Sequence, residues 1–473
     1  MVGSEQGGGT VTAMETAIQE EALQRRYRSY PAYKDSGVEW LGEIPEHWEI
    51  KRLRSTVKSC QNGVWGNDPD GLQDIVCVRV ADFDRVCFRA NIEDPTLRSV
   101  EPKVISARGL ERGDLLLEKS GGGENQPVGA VVLYDHDVPA VCSNFVARVV
   151  LAKGFDSRFM SYLHAALYSL RINTKHIKQS TGIQNLDSSG YLDEAVVLPP
   201  RTDEQRSIAT FLDRETARID ALVAKKRRLI ELLQEQRTAL ITRAVTKGLD
   251  PSVPMTDSGV EWLGEIPEHW EVRRLKFLLT SPLKYGANEA AELDDPDLPR
   301  YVRITDIDER DGLRDETFKS LPVKVAEEYL LQEGDVLFAR SGATAGKSFL
   351  YRRSWGACAY AGYLIRARLD TQQVLPDFVR YFTASTSYWQ WLSAAFIQAT
   401  IQNVSADKYA SLLLIKPQYS EQRSISSFLD LETARIDALV YKVLEAIELL
   451  NDLRTAVISA AVTGKIDVRE EVR

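Results

Sequence analysis

Two stretches of this 473-residue chain carry residue types that could support chemistry. Ser341–Ser348 reads SGATAGKS, small residues followed by Lys347 and Ser348. A nucleotide-binding loop sets four residues between its first glycine and its Gly-Lys pair; here Gly342 and Gly346 enclose three. The segment still suits backbone approaching a phosphate, and a DNA phosphate serves as well as a nucleotide. Asp114–Lys119, DLLLEK, faintly resembles the strand of a metal-dependent nuclease. Such strands separate Glu and Lys by one residue, whereas Glu118 and Lys119 are adjacent, and the second half of the chain has Ala339-Arg340 there. No G-x-S-x-G turn occurs, and no N-P-P-Y-like tetrapeptide beside a glycine loop. The chain reads as non-catalytic, with no metal or cofactor of its own.

The residue types that remain suit reading bases. Arg to guanine, and Asn or Gln to adenine, are the favoured bidentate contacts in the major groove. Polar loops of the first half hold Arg79, Lys119, Ser120, Lys178, Gln184 and Asn185. Those of the second hold Arg303, Arg340, Thr344, Lys347, Gln402 and Asn403. Any one of them also reads as a solvated surface side chain, and Ile-Gln-Asn, present in both halves, equally reads as a structural turn.

These candidates sit on a scaffold written twice. Asp35–Glu49, DSGVEWLGEIPEHWE, recurs unchanged as Asp257–Glu271, 222 positions later. EQRSIATFLDRETARIDALV (Glu204–Val223) returns as EQRSISSFLDLETARIDALV (Glu421–Val440), 217 positions later. The segments between differ in length by five residues and are only weakly alike: CVRVADFD (Cys77–Asp84) against YVRITDID (Tyr301–Asp308), GDLLLEKSG (Gly113–Gly121) against GDVLFARSG (Gly334–Gly342). One fold carrying two different surfaces explains that pattern.

The long motifs predict helices of about 40 residues, roughly 60 Å. Counting in steps of four and three gives a heptad seam: Ile208, Leu212, Glu215, Ile219, Leu222, Lys226, Leu229, Leu233, Gln236 and Leu240. The second copy gives Ile425, Leu429, Glu432, Ile436, Leu439, Val443, Ala446, Leu450, Leu453 and Val457. Such a seam marks a coiled coil, and an apolar stripe must be buried. The duplicate stripe is the natural partner, in an antiparallel pair about a pseudo-twofold axis. Gly248 and Gly464 end the helices. Trp40, Leu41, Ile44, Pro45 and Trp48, repeated as Trp262, Leu263, Ile266, Pro267 and Trp270, read as a structural clasp, with His47 and His269 packing or hydrogen-bonding.

The fold class is α+β. Strands are predicted at Val76–Val80, Val128–Leu133, Val146–Leu151, Tyr301–Ile304, Asp335–Phe338 and Tyr363–Arg368, and helices at Phe155–Arg171 and Pro376–Ile397. The divisions are 1–34, an extension disordered over 1–13 and helical near 14–28; 35–203 and 257–420, two similar globular domains; 204–246 and 421–463, the long helices; 247–256, a linker; and 464–473, a tail. Net charge is −9. Acid and base nearly balance within 50–203 and 272–420, so the surplus acid lies in the other segments and total charge neither favours nor excludes DNA. Five cysteines with no CxxC, no apolar run of about 18 residues and no apolar leader together predict a cytoplasmic protein.

From Tyr33 to Asp467 the chain resembles the specificity subunits of type I restriction–modification enzymes. The resemblance rests on E-I-P-x-H-W at Glu43–Trp48 and Glu265–Trp270, and on the L-P-P/K-P-Q…E-Q-R-x-I segments at Leu198–Ile208 and Lys416–Ile425. It implies that the variable segments are target-recognition domains, each reading half of a split, asymmetric DNA site. It implies that the helices set the distance between halves and bind two methyltransferase subunits. S-adenosylmethionine would then act on those partners, and ATP and Mg on partner subunits including any restriction subunit. The rival expectation is a non-catalytic coiled-coil scaffold without DNA specificity.

Overall fold

A computed structural model describes residues 23, 25–71, 74–123, 125–180, 182–308, 312–342, 344–397 and 403–471. The expectations for residues 1–22, and for Gln402, lie outside them. The chain forms two compact units, 1–225 with 445–473, and 226–444. The first long helix runs Thr202–Lys247 and the second Tyr419–Val462, so each contributes one half to either unit. Among the described residues no helix is long and apolar enough to cross a membrane.

Unit 1 is built on a six-stranded sheet in the order Val57–Asn62, Val146–Leu151, Leu115–Glu118, Val131–Leu133, Arg89–Ala90, Phe83–Asp84. The central strand Leu115–Glu118 is buried on both faces, which its unbroken leucines predict. A helix, Ser157–Ser169, packs over the sheet, capped by Asp156 accepting from the backbone of Arg158 and Phe159. Two three-stranded sheets accompany it: Ala140–Cys142, Asp74–Val78, Leu97–Ser99, and Ser120–Gly121, Ile183–Leu186, Ile177–Ser180. Unit 2 repeats the plan with four strands, Lys284–Tyr285, Leu364–Ala367, Val336–Ala339, Ser348–Leu350, and a parallel pair, Arg300–Val302 with Cys358–Tyr360. The helix expected over 376–397 is two, Pro376–Thr383 and Thr386–Ile397. Ser385 breaks it, its hydroxyl donating to the carbonyl of Phe382 and accepting from the amide of Tyr388.

Inside each unit the two long helices pack antiparallel. In unit 1 Ile208 and Leu212, from the start of the first, share a core with Val457, Ile458 and Ala461, from the end of the second. There Arg454 Nε donates to Asp220 at 3.0 Å. In unit 2 Ile241, Ala244 and Val245 share a core with Ile425 and Leu429. The phase of the seam differs from the heptad expectation. Leu222, Leu229 and Leu439 are exposed, at 41%, 44% and 50%, whereas Val223 is buried. The repeat is eleven residues: Ile208, Ile219, Ile230 and Ile241 in one helix, Ile425, Ile436, Ile447 and Ile458 in the other. Seven of these eight are buried, and Ile230 is half-buried. An 11-residue period is about 3.67 residues per turn, nearer to a relaxed α-helix than a heptad's 3.5. Heptad counting therefore slips one position after Ile219. Of the remaining seam positions, Leu233 is buried and Leu240 and Leu450 are half-buried.

The clasps are structural. Trp48 Nε1 donates to Glu204 Oε1 at 3.0 Å, His47 Nε2 lies 3.0 Å from Oε2, and the Tyr30 hydroxyl donates to Oε1 at 3.2 Å. In unit 2, His269 and Trp270 meet Glu421 at 2.9 and 3.2 Å. The H-W pair of one motif thus holds the glutamate that opens the other, in the first turn of a helix whose free N–H groups favour negative charge. The adjacent glutamine acts too: Gln205 accepts from the Asp156 amide and donates to the Pro199 carbonyl, and Gln422 accepts from Leu375 and donates to Pro417. Gly464 ends the second helix at φ +76°, and a Cβ there would lie 2.4 Å from Pro45 Cδ, so only glycine fits. Leu23, Tyr27 and Tyr30 are buried in the unit 1 core, which gives this part of the N-terminal extension a packing role.

His164 is buried, with Nδ1 2.7 Å from the Tyr191 hydroxyl, and burial pushes its pKa down to about 4. A His ordinarily titrates near 6.5. Below that pH the unfolded chain takes up a proton that the fold excludes. The contribution is therefore complete above about pH 6.5 and falls as pH drops toward 4, by about 3 kcal/mol in all. Urea unfolding at pH 7.5 and 4.5 is expected to show this component in the wild type and not in His164→Phe; equal pH slopes would refute it.

Candidate nucleic-acid interface

In unit 1 the strand Leu115–Glu118 emerges as Lys119-Ser120 between two other segments. The Lys119 amide donates to the Phe145 carbonyl at 2.8 Å, and the Lys119 carbonyl accepts from Leu186 at 2.8 Å. Ser120 lies opposite Asn185, which lies opposite Lys178 on the next strand. Directly opposed residues share a face, so Ser120, Asn185 and Lys178 form a row across the small sheet. The Ser120 hydroxyl donates to Asn185 Oδ1 at 2.6 Å, Lys119 Nζ to Asn62 Oδ1 at 2.7 Å, and Lys178 Nζ to Asp187 Oδ2 at 2.8 Å. The lysine's hydrogen bond, with two backbone N–H groups and its charge, lowers the Asp187 pKa to about 2. Gln184 Oε1 accepts from the Val128 amide, steadying the glycine loop before it.

Unit 2 repeats this arrangement with different side chains. The Arg340 amide donates to the Tyr363 carbonyl at 3.0 Å, its carbonyl accepts from Val404 at 2.8 Å, and Ser341 bridges Asn403. The Arg340 guanidinium lies 4.9 Å from the centroid of Tyr285, where unit 1 has Lys119 on Asn62. Thr344 and Lys347 sit in the turn joining Val336–Ala339 to Ser348–Leu350, with the Lys347 amide donating to Thr344 at 3.0 Å. A strand follows this turn. A nucleotide-binding loop requires a helix there, so Thr344 and Lys347 belong to a link between two strands and not to such a loop.

Arg79 and Arg303 each open a single turn of 3-10 helix after a strand, fixed by Asp82 and Asp306. In the nuclease-like strand, Asp114 accepts from Arg148 Nε at 2.6 Å and Glu118 from Arg85 Nη2 at 2.9 Å. Burial raises the pKa of both carboxyls against those arginines. Among the described residues no group of three or more His, Cys, Asp or Glu could hold a metal.

Beside the polar row lies what counting polar residues misses. A cavity of about 560 Å³ is lined by Trp65, Arg79, Ser120, Asn144, Phe145 and Ile183, among others. Trp65, Phe145 and Ile183 are 39%, 50% and 53% exposed. In unit 2, Tyr285 and Tyr363 are exposed aromatics beside Arg340, at 39% and 64%. Phe145 and Tyr363 occupy matching places, each carbonyl accepting from the basic residue at the strand end. Exposed aromatics beside Arg, Asn and Ser form a surface suited to base edges and thymine methyls.

No family model matches the chain. It is 22% identical over 443 residues to the type I restriction enzyme EcoKI specificity subunit of Escherichia coli, covering 90% of both chains. It is 21% identical over 440 residues, again 90% of each, to the StySPI specificity subunit of Salmonella potsdam. Over nine-tenths of its length the chain is therefore similar to type I restriction enzyme specificity subunits. In fold it is similar, with a TM-score of 0.67 and 16% identity over 89% of this chain and 98% of the other, to a chain from a structure described for complex assembly and conformational transition of the type I R-M system. At 16% identity the likeness is one of fold, and the side chains on the interface are this chain's own.

Proposed function

We propose that this chain is the DNA sequence-recognition subunit of a type I restriction–modification complex, each unit reading one half of a bipartite, asymmetric site. One observation carries the reading. The same strand-end arrangement, a basic residue and a serine set between an asparagine and an exposed aromatic, is built in both units beside clasps of identical sequence. The frame is held constant and the reading surface varies.

In this reading the paired helices set the spacing between half-sites and dock two methyltransferase subunits. Leu229, Leu232, Leu431, Leu439 and Leu444 of unit 2 are 44–54% exposed on these helices, apolar surface that suits a protein partner. Adenine methylation with S-adenosylmethionine, and ATP- and Mg-dependent steps, belong to partner subunits; this chain selects where they act.

The test exchanges residues 50–203 for those of a relative of different specificity. Sequencing methylated adenines in cells carrying the chimaera and its methyltransferase is expected to show one half-site changed and the other retained. Change in both halves, or in neither, would sink the modular reading, and an unaltered methylome would favour the scaffold.

A further inference from the structure

Arg79 and Arg303 are held alike up to one hydrogen bond. In each, the backbone N–H and Nε donate to Oδ2 of the aspartate three residues on, and Nη2 donates to Oδ1. The distances are 2.7, 3.2 and 2.7 Å for Arg79 with Asp82, and 2.8, 3.0 and 2.7 Å for Arg303 with Asp306. A guanidinium has five N–H groups in a planar fork. The aspartate takes Nε–H and the inner N–H of Nη2. The opposite edge, made by Nη1 and the outer N–H of Nη2, matches the O6 and N7 acceptors of guanine. In Arg303 that edge is closed, because Nη2 also donates to the Thr317 carbonyl at 2.8 Å. Arg79 has no corresponding bond among the described residues, and it lines the open cavity with Trp65, Ser120, Phe145 and Ile183.

We infer that Arg79 reads a guanine of the unit 1 half-site through its Nη1/Nη2 edge, with Asp82 as its positioning residue, and that Arg303 is a structural clamp that reads no base. The inference deepens the function proposed above and rests on it. Guanine suits the site better than a phosphate does. A fork held in plane by a carboxylate presents two donors in one orientation, and apolar walls suit base edges and methyl groups. Asp82 is only 11% exposed and Arg79 38%, so the carboxylate anchors from below while the guanidinium reaches solvent.

The experiment uses the full chain assembled with its methyltransferase subunits and a duplex carrying its site, with binding followed by fluorescence anisotropy. Each guanine of the half-site assigned to unit 1 by the 50–203 exchange is replaced in turn by 7-deazaguanine, which lacks N7. One replacement is expected to weaken wild-type binding by about tenfold, and Arg303→Lys binding by the same factor. In Arg79→Ala and Arg79→Lys, both checked for folding by thermal melting, that replacement should have no further effect. Lysine keeps the charge and can pair with Asp82 but offers no fork, so the pair of variants separates base reading from simple attraction. Asp82→Asn should reduce the penalty at the same guanine. The inference is overturned if Arg79→Ala retains the penalty, if the unit 1 half-site contains no guanine, or if Arg303→Lys alone loses selectivity at a base. A wild-type complex with no sequence preference would remove the proposed function together with it; a preference independent of Arg79 would remove the inference alone.

Discussion

Val223→Asp lowers the stability of unit 1 by about 3–4 kcal/mol, while Leu222→Asp, one residue away, costs less than about 0.5 kcal/mol. Both are apolar residues of the first long helix, and a heptad count places Leu222 in the seam and Val223 beside it. The structure reverses them: Val223 is 7% exposed and Leu222 41%. Aspartate at Val223 would put a carboxylate in a buried position, and a valine's burial would be lost as well. Aspartate at Leu222 would meet solvent. The pair therefore reports the period of the seam. Urea denaturation of the two purified variants decides it, and equal midpoints, or a greater loss in Leu222→Asp, would restore the heptad. Leu222→Asp is expected to show its effect elsewhere, as reduced co-purification with a methyltransferase subunit, because an exposed leucine of the helix is then free for a partner.

That reversal marks where the sequence could be read and where it could not. Internal identity exposed the duplication, and β-branched runs placed strands within two or three residues, because both are local signals. Helix phase is a cumulative signal. One extra residue over two 11-residue repeats moves a leucine from the seam to the surface, and the apolar residues on both faces hid the slip. The isoleucines at 208, 219, 230 and 241 and at 425, 436, 447 and 458 were the available clue. At the interface, Arg79 and Arg303 stood out by residue type, and the Asp three positions later in each copy hinted that both are held. The Thr317 carbonyl that sets them apart lies 14 residues beyond Arg303 and carries no side-chain signal. Trp65, Phe145 and Ile183 were invisible to a search for polar readers. The packing of Tyr30 onto Glu204, 174 residues away in the chain, is a tertiary fact with no local mark.

The two clasps share fifteen identical residues, and Glu204→Ala and Glu421→Ala are nevertheless expected to differ several-fold in cost. Glu204 has a side chain 7% exposed and accepts from three groups, Trp48 Nε1, the Tyr30 hydroxyl and His47. Trp48 and Tyr30 are themselves buried, and removing the carboxylate leaves both donors without an acceptor where water cannot replace it. Each such orphan costs about 1–3 kcal/mol, so Glu204→Ala should lose about 3–5 kcal/mol. Glu421 is 36% exposed and among the described residues has His269 and Trp270 as clasp partners, the Trp270 bond at 3.2 Å. Water can reach that site, and the loss should be about 1 kcal/mol. Burial beside Glu204 also raises the Tyr30 hydroxyl pKa well above its ordinary value, so the phenol stays protonated and keeps donating through the alkaline range. Hydrogen exchange at the start of each long helix separates the effects: protection should collapse around 204–212 in Glu204→Ala and persist around 421–429 in Glu421→Ala. Similar losses in the two variants would mean that the motif alone sets the strength of the clasp. Unequal losses in the predicted order would show that the buried aromatic from the N-terminal extension makes the first clasp the stronger.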